Sequence, residues 1–295
     1  MSCLNIHDDP RIREFEDKRN GQKPVLSIVV VGYRAPALLS SCLNSLRAQS
    51  VSNFEVIIVD NGGSVVDDQW QVGLSAARIH LKKNYRQIIS RNIGASICRS
   101  QVLFFLDDDS LLEANGVKEI VQLYATTNVI ASRCRLFYRS NTMFNRLATH
   151  YDLGEEQLCG YLLESGLAIR TVVYIRFGGY DETLLPGGEY MYWLYNVGKN
   201  YGLDNVLYFP QVLIWTDYSR SLKHFIWKSW IYAKGIETIR IRFPEFIEYR
   251  DQIGARRAAK TPQFSTGIRL LNAIRKFLFR CGQRYYRLTV PKACR

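Results

Sequence analysis

Val25-Leu26-Ser27-Ile28-Val29-Val30-Val31 is a nearly unbroken run of apolar, mostly β-branched residues. A strand with one wet face alternates apolar and polar side chains, whereas a run without alternation has both faces covered. Gly32 ends the run, and Pro36 opens a helical segment, where proline suits the first turn. The apolar stripe of that helix is Leu38, Leu39, Cys42, Leu43 and Leu46. Phe54–Val59 follows as a second strand and stops at Asp60-Asn61-Gly62-Gly63. These three pieces make one βαβ unit.

The alternation continues. Ala77–Leu81 reads as a short strand, Ile88–Cys98 as a helix, Gln101–Leu106 as a strand and Ala114–Ala125 as a helix, with a further strand at Val129–Ser132. Repeated βα units predict an α/β fold with an open, Rossmann-like, mostly parallel sheet flanked by helices. Ligands of such sheets bind beyond the carboxyl ends of the strands. Asp60 and the run Asp107-Asp108-Asp109 both fall there. After Arg133 the pattern weakens: 134–165 is mixed, and 166–218 reads as short strands and loops rich in glycine and aromatics. Helices dominate from Ser221 onward. The expected divisions are a polar, mobile or loosely docked extension over 1–24, a main domain over 25–218 with halves 25–132 and 133–218, and a basic helical module over 219–295.

Hydrophobic residues make up 47% of the chain and charged residues 22%, which suits a packed globular protein and excludes wholesale disorder. No stretch approaches the ~18–20 uncharged apolar residues of a spanning helix. The N-terminal residues do not form a signal peptide, so a cytoplasmic location is expected. Seven irregularly spaced cysteines without a CxxC pair indicate neither a zinc site nor a disulfide framework, and all are expected reduced.

Phe104-Phe105-Leu106-Asp107-Asp108-Asp109 carries the sharpest chemical signal. Three adjacent carboxylates repel one another. A divalent cation relieves that repulsion, and hard oxygen ligands suit Mg²⁺ or Mn²⁺. The ion can bridge to a diphosphate and stabilise it as a leaving group. The bland alternative is a solvated acidic turn that caps the next helix. A buried strand before the turn, and a second strand-end acid at Asp60, favour the metal.

The chain also resembles a known family. Leu26-Ser27-Ile28-Val29-Val30-Val31-Gly32-Tyr33-Arg34, then Cys42-Leu43-x-Ser45-Leu46-x-x-Gln49, then Val59-Asp60-Asn61-Gly62, looks like the start of family 2 glycosyltransferases. So do Asn84, Arg91-Asn92-x-Gly94, the Asp107–Asp109 run, and Gly178-Gly179-Tyr180-Asp181-Glu182 with Arg170 before it. The resemblance covers about residues 25–216 and lies in the order of the pieces. It implies a GT-A fold, a nucleotide-sugar donor and inversion at the anomeric carbon. By position, it implies that Asp60 contacts the base or ribose in a pocket shaped by Val31 and Tyr33. Asp107 would serve the ribose or metal side, with Asp108 beside it in the donor site, and Asp109 the metal. Arg91 lies in the helix that abuts the donor, where a structural ion pair with the aspartates is the alternative.

An inverting transfer needs a base to take the acceptor's proton, and a positioned carboxylate serves at neutral pH. The family pattern places a Glu-Asp pair after a Gly-rich stretch; here the stretch reads Pro186-Gly187-Gly188-Glu189-Tyr190. Glu189 matches, and Tyr190 stands where the aspartate would be. Glu189 is the candidate base; if it only orders the loop, Asp181 or an acid in 152–164 remains. Thr216 occupies a position where relatives often carry a metal-binding histidine; threonine is a poor substitute, so either metal affinity is weaker or Asp217 contributes. Trp193, Tyr192, Tyr195 and Trp215 suit either sugar stacking or core packing.

The net charge is +12, yet residues 219–295 hold 18 Lys/Arg against 4 Asp/Glu, so the positive excess belongs to the C-terminal quarter. Residues 267–288 predict an amphipathic helix with Leu270, Leu271, Ile274, Phe277, Leu278, Cys281, Tyr285 and Leu288 on one face and Arg269, Lys276, Arg280 and Arg287 on the other. Leu222–Phe243 is a second cationic segment. Such helices suit an anionic membrane, here the inner face of the plasma membrane, or pack on the main domain or a second subunit. The leading expectation is therefore a metal-dependent, inverting glycosyltransferase whose acceptor hydroxyl belongs to a glycan, lipid carrier or peptide, as in polysaccharide biosynthesis. A sugar-nucleotide binder that has lost catalysis is the alternative. Nucleic acid is not an expected partner, because no recognition motif accompanies the basic residues.

Overall fold

The computed structural model describes residues 6–63, 70–148, 151–158, 165–202, 205–257 and 265–289. In chain order the strands and α-helices are β1 (Ile12–Lys18), β2 (Ser27–Gly32), α1 (Pro36–Arg47), β3 (Glu55–Asp60), β4 (Ala76–Leu81), α2 (Gln87–Ala95), β5 (Val102–Asp107), β6 (Leu111–Leu112) and α3 (Gly116–Thr126). They continue with β7 (Ala131–Phe137), β8 (Gln157–Leu158), β9 (Leu167–Arg170), α4 (Thr171–Arg176), α5 (Glu189–Tyr201), β10 (Val206–Trp215), α6 (Leu222–Arg242), α7 (Pro244–Arg257) and α8 (Thr266–Thr289).

Nine strands run in the order β1-β4-β3-β2-β5-β9-β7-β10-β6, with β8 paired to β10. The pairs β4-β3, β3-β2, β2-β5 and β7-β10 are parallel. Strand β9 inserts antiparallel between β5 and β7. Strand β2, buried throughout, lies within the parallel part. Its residues alternate between two cores: Ile28 and Val30 pack under α1 and α3, while Val29 and Val31 pack with Ile88 and Ile93 of α2. A strand burying both faces leaves no place for a polar alternation, as the sequence shows.

The described part of the expected extension, residues 6–24, is not loosely docked. Within it, β1 adds an antiparallel edge strand to β4. The arginines flanking β1 look solvated in sequence but are tied to the body: Arg19 donates to the fully buried Glu55 at 3.1 Å, and Arg11 to Glu182 at 2.9 Å. Nor is 166–218 only strands and loops, because it contains α4 and α5. Helix α5 buries Tyr190, Trp193, Leu194 and Val197, spaced as one helical face.

The C-terminal helices, set apart in sequence by their charge, share the domain's packing. Phe225 of α6 and Ile268 and Leu271 of α8 join the core beneath α1 and α3. Gly235 of α6 meets the loop before α5 so closely that a Cβ there would lie 2.0 Å from the carbonyl oxygen of Pro186. Tyr192 stacks on Phe243 with centroids 3.9 Å apart, and Tyr195 packs on Phe246. Trp193 sits in an aromatic core with Tyr174 and Tyr180. Of the four aromatics offered for sugar stacking, these three are packing residues, and Trp215 is the exposed one. Cys42, Cys98, Cys134 and Cys281 are free thiols; Cys3, Cys159 and Cys294 lie outside the described residues.

Candidate active site

Strand register brings the acids together. On β2, Val31 lies opposite Asp107 of β5 on one side, and Gly32 lies opposite Asp60 of β3 on the other. Three neighbouring strands thus end side by side at the carboxyl end of the parallel part of the sheet. Asp60 is buried, accepting the Gly63 amide at 2.9 Å and facing His80 Nδ1 at 2.9 Å. Asn61 accepts the Tyr85 amide at 2.9 Å, which fixes the entrance to α2. Tyr33 is exposed beside this edge, with Arg34 over its ring.

Asp107 is held from α2. Its Oδ1 accepts from Arg91 Nη2 at 2.5 Å and Gln87 Nε2 at 2.6 Å. The Arg91 side chain is fully buried between the rings of Phe105 and Tyr190, its Cζ 5.4 and 5.0 Å from their centroids. Burial raises the Asp107 pKa, Arg91 pulls it down, and Asp109 adds to the rise. Asp108 Oδ2 accepts the Tyr33 amide at 3.3 Å. Burial, then Asp109 and Asp107, push the Asp108 carboxyl up to about 7. Asp109 Oδ1 accepts from Thr216 Oγ1 at 3.3 Å, and its Oδ2 forms an ion pair with Arg220.

The next helix supplies more positive charge. Lys228 donates to the Tyr218 carbonyl at 3.0 Å, lies over that ring, and favours the ionised form of Asp107. His224 is half-buried, and burial, Lys228 and Arg220 together hold its pKa below the usual imidazole value. Asp217, by contrast, spends both oxygens on Ser140 and Asn145.

The same helix α2 holds the glycine-rich segment. Asn92 Oδ1 accepts from the Tyr180 amide and the Tyr174 hydroxyl, and its Nδ2 donates to Glu182 at 3.0 Å. Gly179 has φ +74°, and a Cβ there would sit 2.5 Å from Asn92 Oδ1, so the close approach requires glycine. Asp181 accepts from the Thr183 amide and hydroxyl at 2.9 and 2.6 Å, with Arg242 at 3.6 Å. Glu189, 2% exposed, heads α5 and accepts the amides of Gly187 and Gly188 at 2.6 and 2.8 Å. Its carboxylate therefore orders the loop that precedes it.

Asp107 Oδ2 and Asp108 Oδ1 accept no hydrogen bond from the described residues. Hard carboxylate oxygens with unfilled lone pairs, beside a third acid, fit Mg²⁺ or Mn²⁺. A tighter group of potential ligands, Glu14, Glu16 and His80, offers one atom each within 4.8 Å on β1 and β4. There Glu16 already pairs with Arg78, and His80 with Asp60. Reading from sequence did not place Gln87, Arg220, Lys228, His80 or His224 in this site, and counted Lys228 only among the cations of the Leu222–Phe243 segment. Arg220 and Lys228 lie beyond the stretch of resemblance, and only the chain's return to the site reveals them.

A mostly parallel sheet with acids clustered at its strand ends, with an antiparallel strand inserted before its second half, is a GT-A fold. Residues 27–181, just over half of the chain, match the sequence profile of glycosyl transferase family 2, and the chain belongs to that family. An uncharacterized glycosyltransferase of Haemophilus influenzae is 26% identical over 177 residues, which is 56% of this chain and 60% of that protein. The match thus spans less than two thirds of that relative's length. Among solved structures, the Pyrobaculum calidifontis mannosyltransferase PcManGT, in complex with GDP-Man and Mn²⁺, superposes with a TM-score of 0.58 at 12% identity, covering 95% of this chain and 80% of that one. S. aureus TarS 1–349 with UDP-GlcNAc gives 0.52 at 16% identity, covering 75% and 72%. At these identities the two structures speak for the fold.

Proposed function

We propose that the protein transfers a sugar from a nucleotide-diphosphate-sugar to an acceptor hydroxyl, with inversion and with a divalent metal. The observation that carries this reading is the trio Asp107–Asp109 at the end of β5, beside Asp60 and braced by Arg91. Asp107, through Oδ2, and Asp109, on release from Arg220 or Thr216, would hold Mg²⁺ or Mn²⁺, whose charge would stabilise the diphosphate as it leaves. The chain's own residues position the rest. Asp60, Val31 and Tyr33 line the base and ribose side, with Asp108 next to the Tyr33 amide. Arg91 and Gln87 fix the direction of Asp107. Arg220 and Lys228 bring fixed positive charge to the side where negative charge develops. The nucleotide-sugar complexes of PcManGT and TarS support a donor of this class.

For the base we propose Glu189, held at the head of α5 next to Tyr190 and so next to Arg91. Both glycine amides bind Oε2, so acting as base would fall to Oε1 or require Oε2 to leave them when acceptor binds. Asp181 is the second candidate. A Glu189→Gln enzyme that keeps donor hydrolysis and loses transfer supports Glu189; one that keeps transfer passes the role to Asp181.

The test of the whole reading is the double substitution Asp107→Asn, Asp109→Asn. Transfer and Mn²⁺-dependent donor hydrolysis, read as released nucleoside diphosphate, should both vanish; unchanged turnover contradicts the assignment. One observation favours a second reading. Glu189 is committed to its loop and Tyr190 stands beside it, as in a sugar-nucleotide binder that no longer transfers. That reading predicts donor binding with no turnover toward any acceptor.

A further inference from the structure

Helix α8 has two apolar faces where the sequence pattern counts one. Ile268, Leu271 and Gly282 are buried, and a Cβ on Gly282 would touch Ala233 and Trp230 of α6. Leu270, Ile274, Phe277 and Leu288 turn outward; Leu270 and Phe277 are each 64% exposed and Leu288 74%. At the helical period these four fall within an arc about 60° wide. Packing on α6 therefore uses one side of the apolar stripe and leaves the other in solvent.

Beside the outward row lie Arg269, Lys276, Arg280 and Arg284, all exposed, and α8 contains no Asp or Glu. Helix α6 adds exposed Leu222, Ile226 and Trp227 in its first turns, with Lys223 among them. Tryptophan favours the headgroup level of a bilayer. A row of large apolar side chains next to a row of cations suits a helix lying in the headgroup region, with the apolar side chains among acyl chains and the cations on phosphates. A second copy packed antiparallel on this face would bring cation row against cation row.

We propose that the outward face of α8, with the first turns of α6, docks the protein on an anionic lipid surface. No helix of the described residues is long and apolar enough to cross a membrane, and the contact is interfacial. Arg220, two residues before α6, pairs with Asp109, so the docked surface adjoins the candidate donor site. Acceptors carried on lipid would then come within reach.

Flotation of the full chain tests this without any turnover, so its outcome is independent of the sugar-transfer reading. The vesicles are phosphatidylcholine alone, or phosphatidylcholine with phosphatidylglycerol. The protein should float with the anionic vesicles and stay behind with the neutral ones. Lys276→Glu, Arg280→Glu, Arg284→Glu together should lower partitioning about a hundredfold. Leu270→Ser with Phe277→Ser should lower it about tenfold. Circular dichroism and nucleotide binding, both unchanged, would show that these variants are folded. Equal flotation on both vesicle types, or on neither, overturns the proposal. So does a wild-type dimer that Leu270→Ser with Phe277→Ser dissociates, which would assign the face to a second copy.

Discussion

Arg91, fully buried, donates to Asp107 Oδ1 at 2.5 Å, joining the middle of α2 to the end of β5. A buried charge deprived of its partner is costly, so Arg91→Ala should destabilise the fold by about 3–5 kcal/mol, measured by denaturant titration. Arg91→Ala in an Asp107→Asn background should cost much less, because no carboxylate is then stranded. Additive effects in this cycle would show that the two residues act separately.

Arg220 reaches Asp109 from the approach to α6 with its side chain 45% exposed, so removing it should leave stability nearly unchanged. If it stabilises the departing diphosphate, Arg220→Ala should lower kcat about 10- to 100-fold with a smaller effect on donor KM. Steady-state kinetics at saturating Mn²⁺ distinguish this from a loss of metal binding.

Asp108 sets a pH dependence. Its carboxyl is raised to about 7 from an ordinary value of 3.8, by burial and by its two acidic neighbours. The folded protein therefore holds this proton more tightly than the unfolded chain does. Its contribution is fully present below about pH 3.8, declines as pH rises through 7, and is then constant as a penalty. Metal-free Asp108→Asn should melt at a higher temperature than wild type at pH 8, and the gain should shrink as pH falls towards 4. A gain of equal size at both pH values would exclude titration of this group.

Gly235 lets α6 lie against the Pro186 carbonyl, where a methyl group does not fit. Gly235→Ala should cost about 1–3 kcal/mol by overpacking. It should also lower activity, because the displaced loop carries Glu189. Thermal melts and transfer assays on one preparation read both effects.

How much of this was legible in the sequence follows from the range of the interactions. The central strand, α1, and the aspartates at the ends of β3 and β5 rest on local periodicity and on acids placed just past apolar runs. Those signals lie within a few residues of each other. Strand β1 was hidden because its charges suggest solvent, and Glu55, the buried partner of Arg19, lies 36 residues away. Helix α5 was hidden behind Gly187-Gly188 and a cluster of aromatics, although Tyr190, Trp193, Leu194 and Val197 carry its period. The pairing of Arg220 with Asp109 spans 111 residues, a distance that no spacing rule covers. The amphipathic reading of α8 located its apolar residues but could not divide them between core and surface.

Calorimetry of nucleoside diphosphates and nucleotide-sugars, with and without Mn²⁺, tests the central claim most directly. The claim predicts binding that requires the metal in the wild-type protein and disappears in Asp107→Asn, Asp109→Asn. Equally tight binding without metal, or in that double variant, would contradict it.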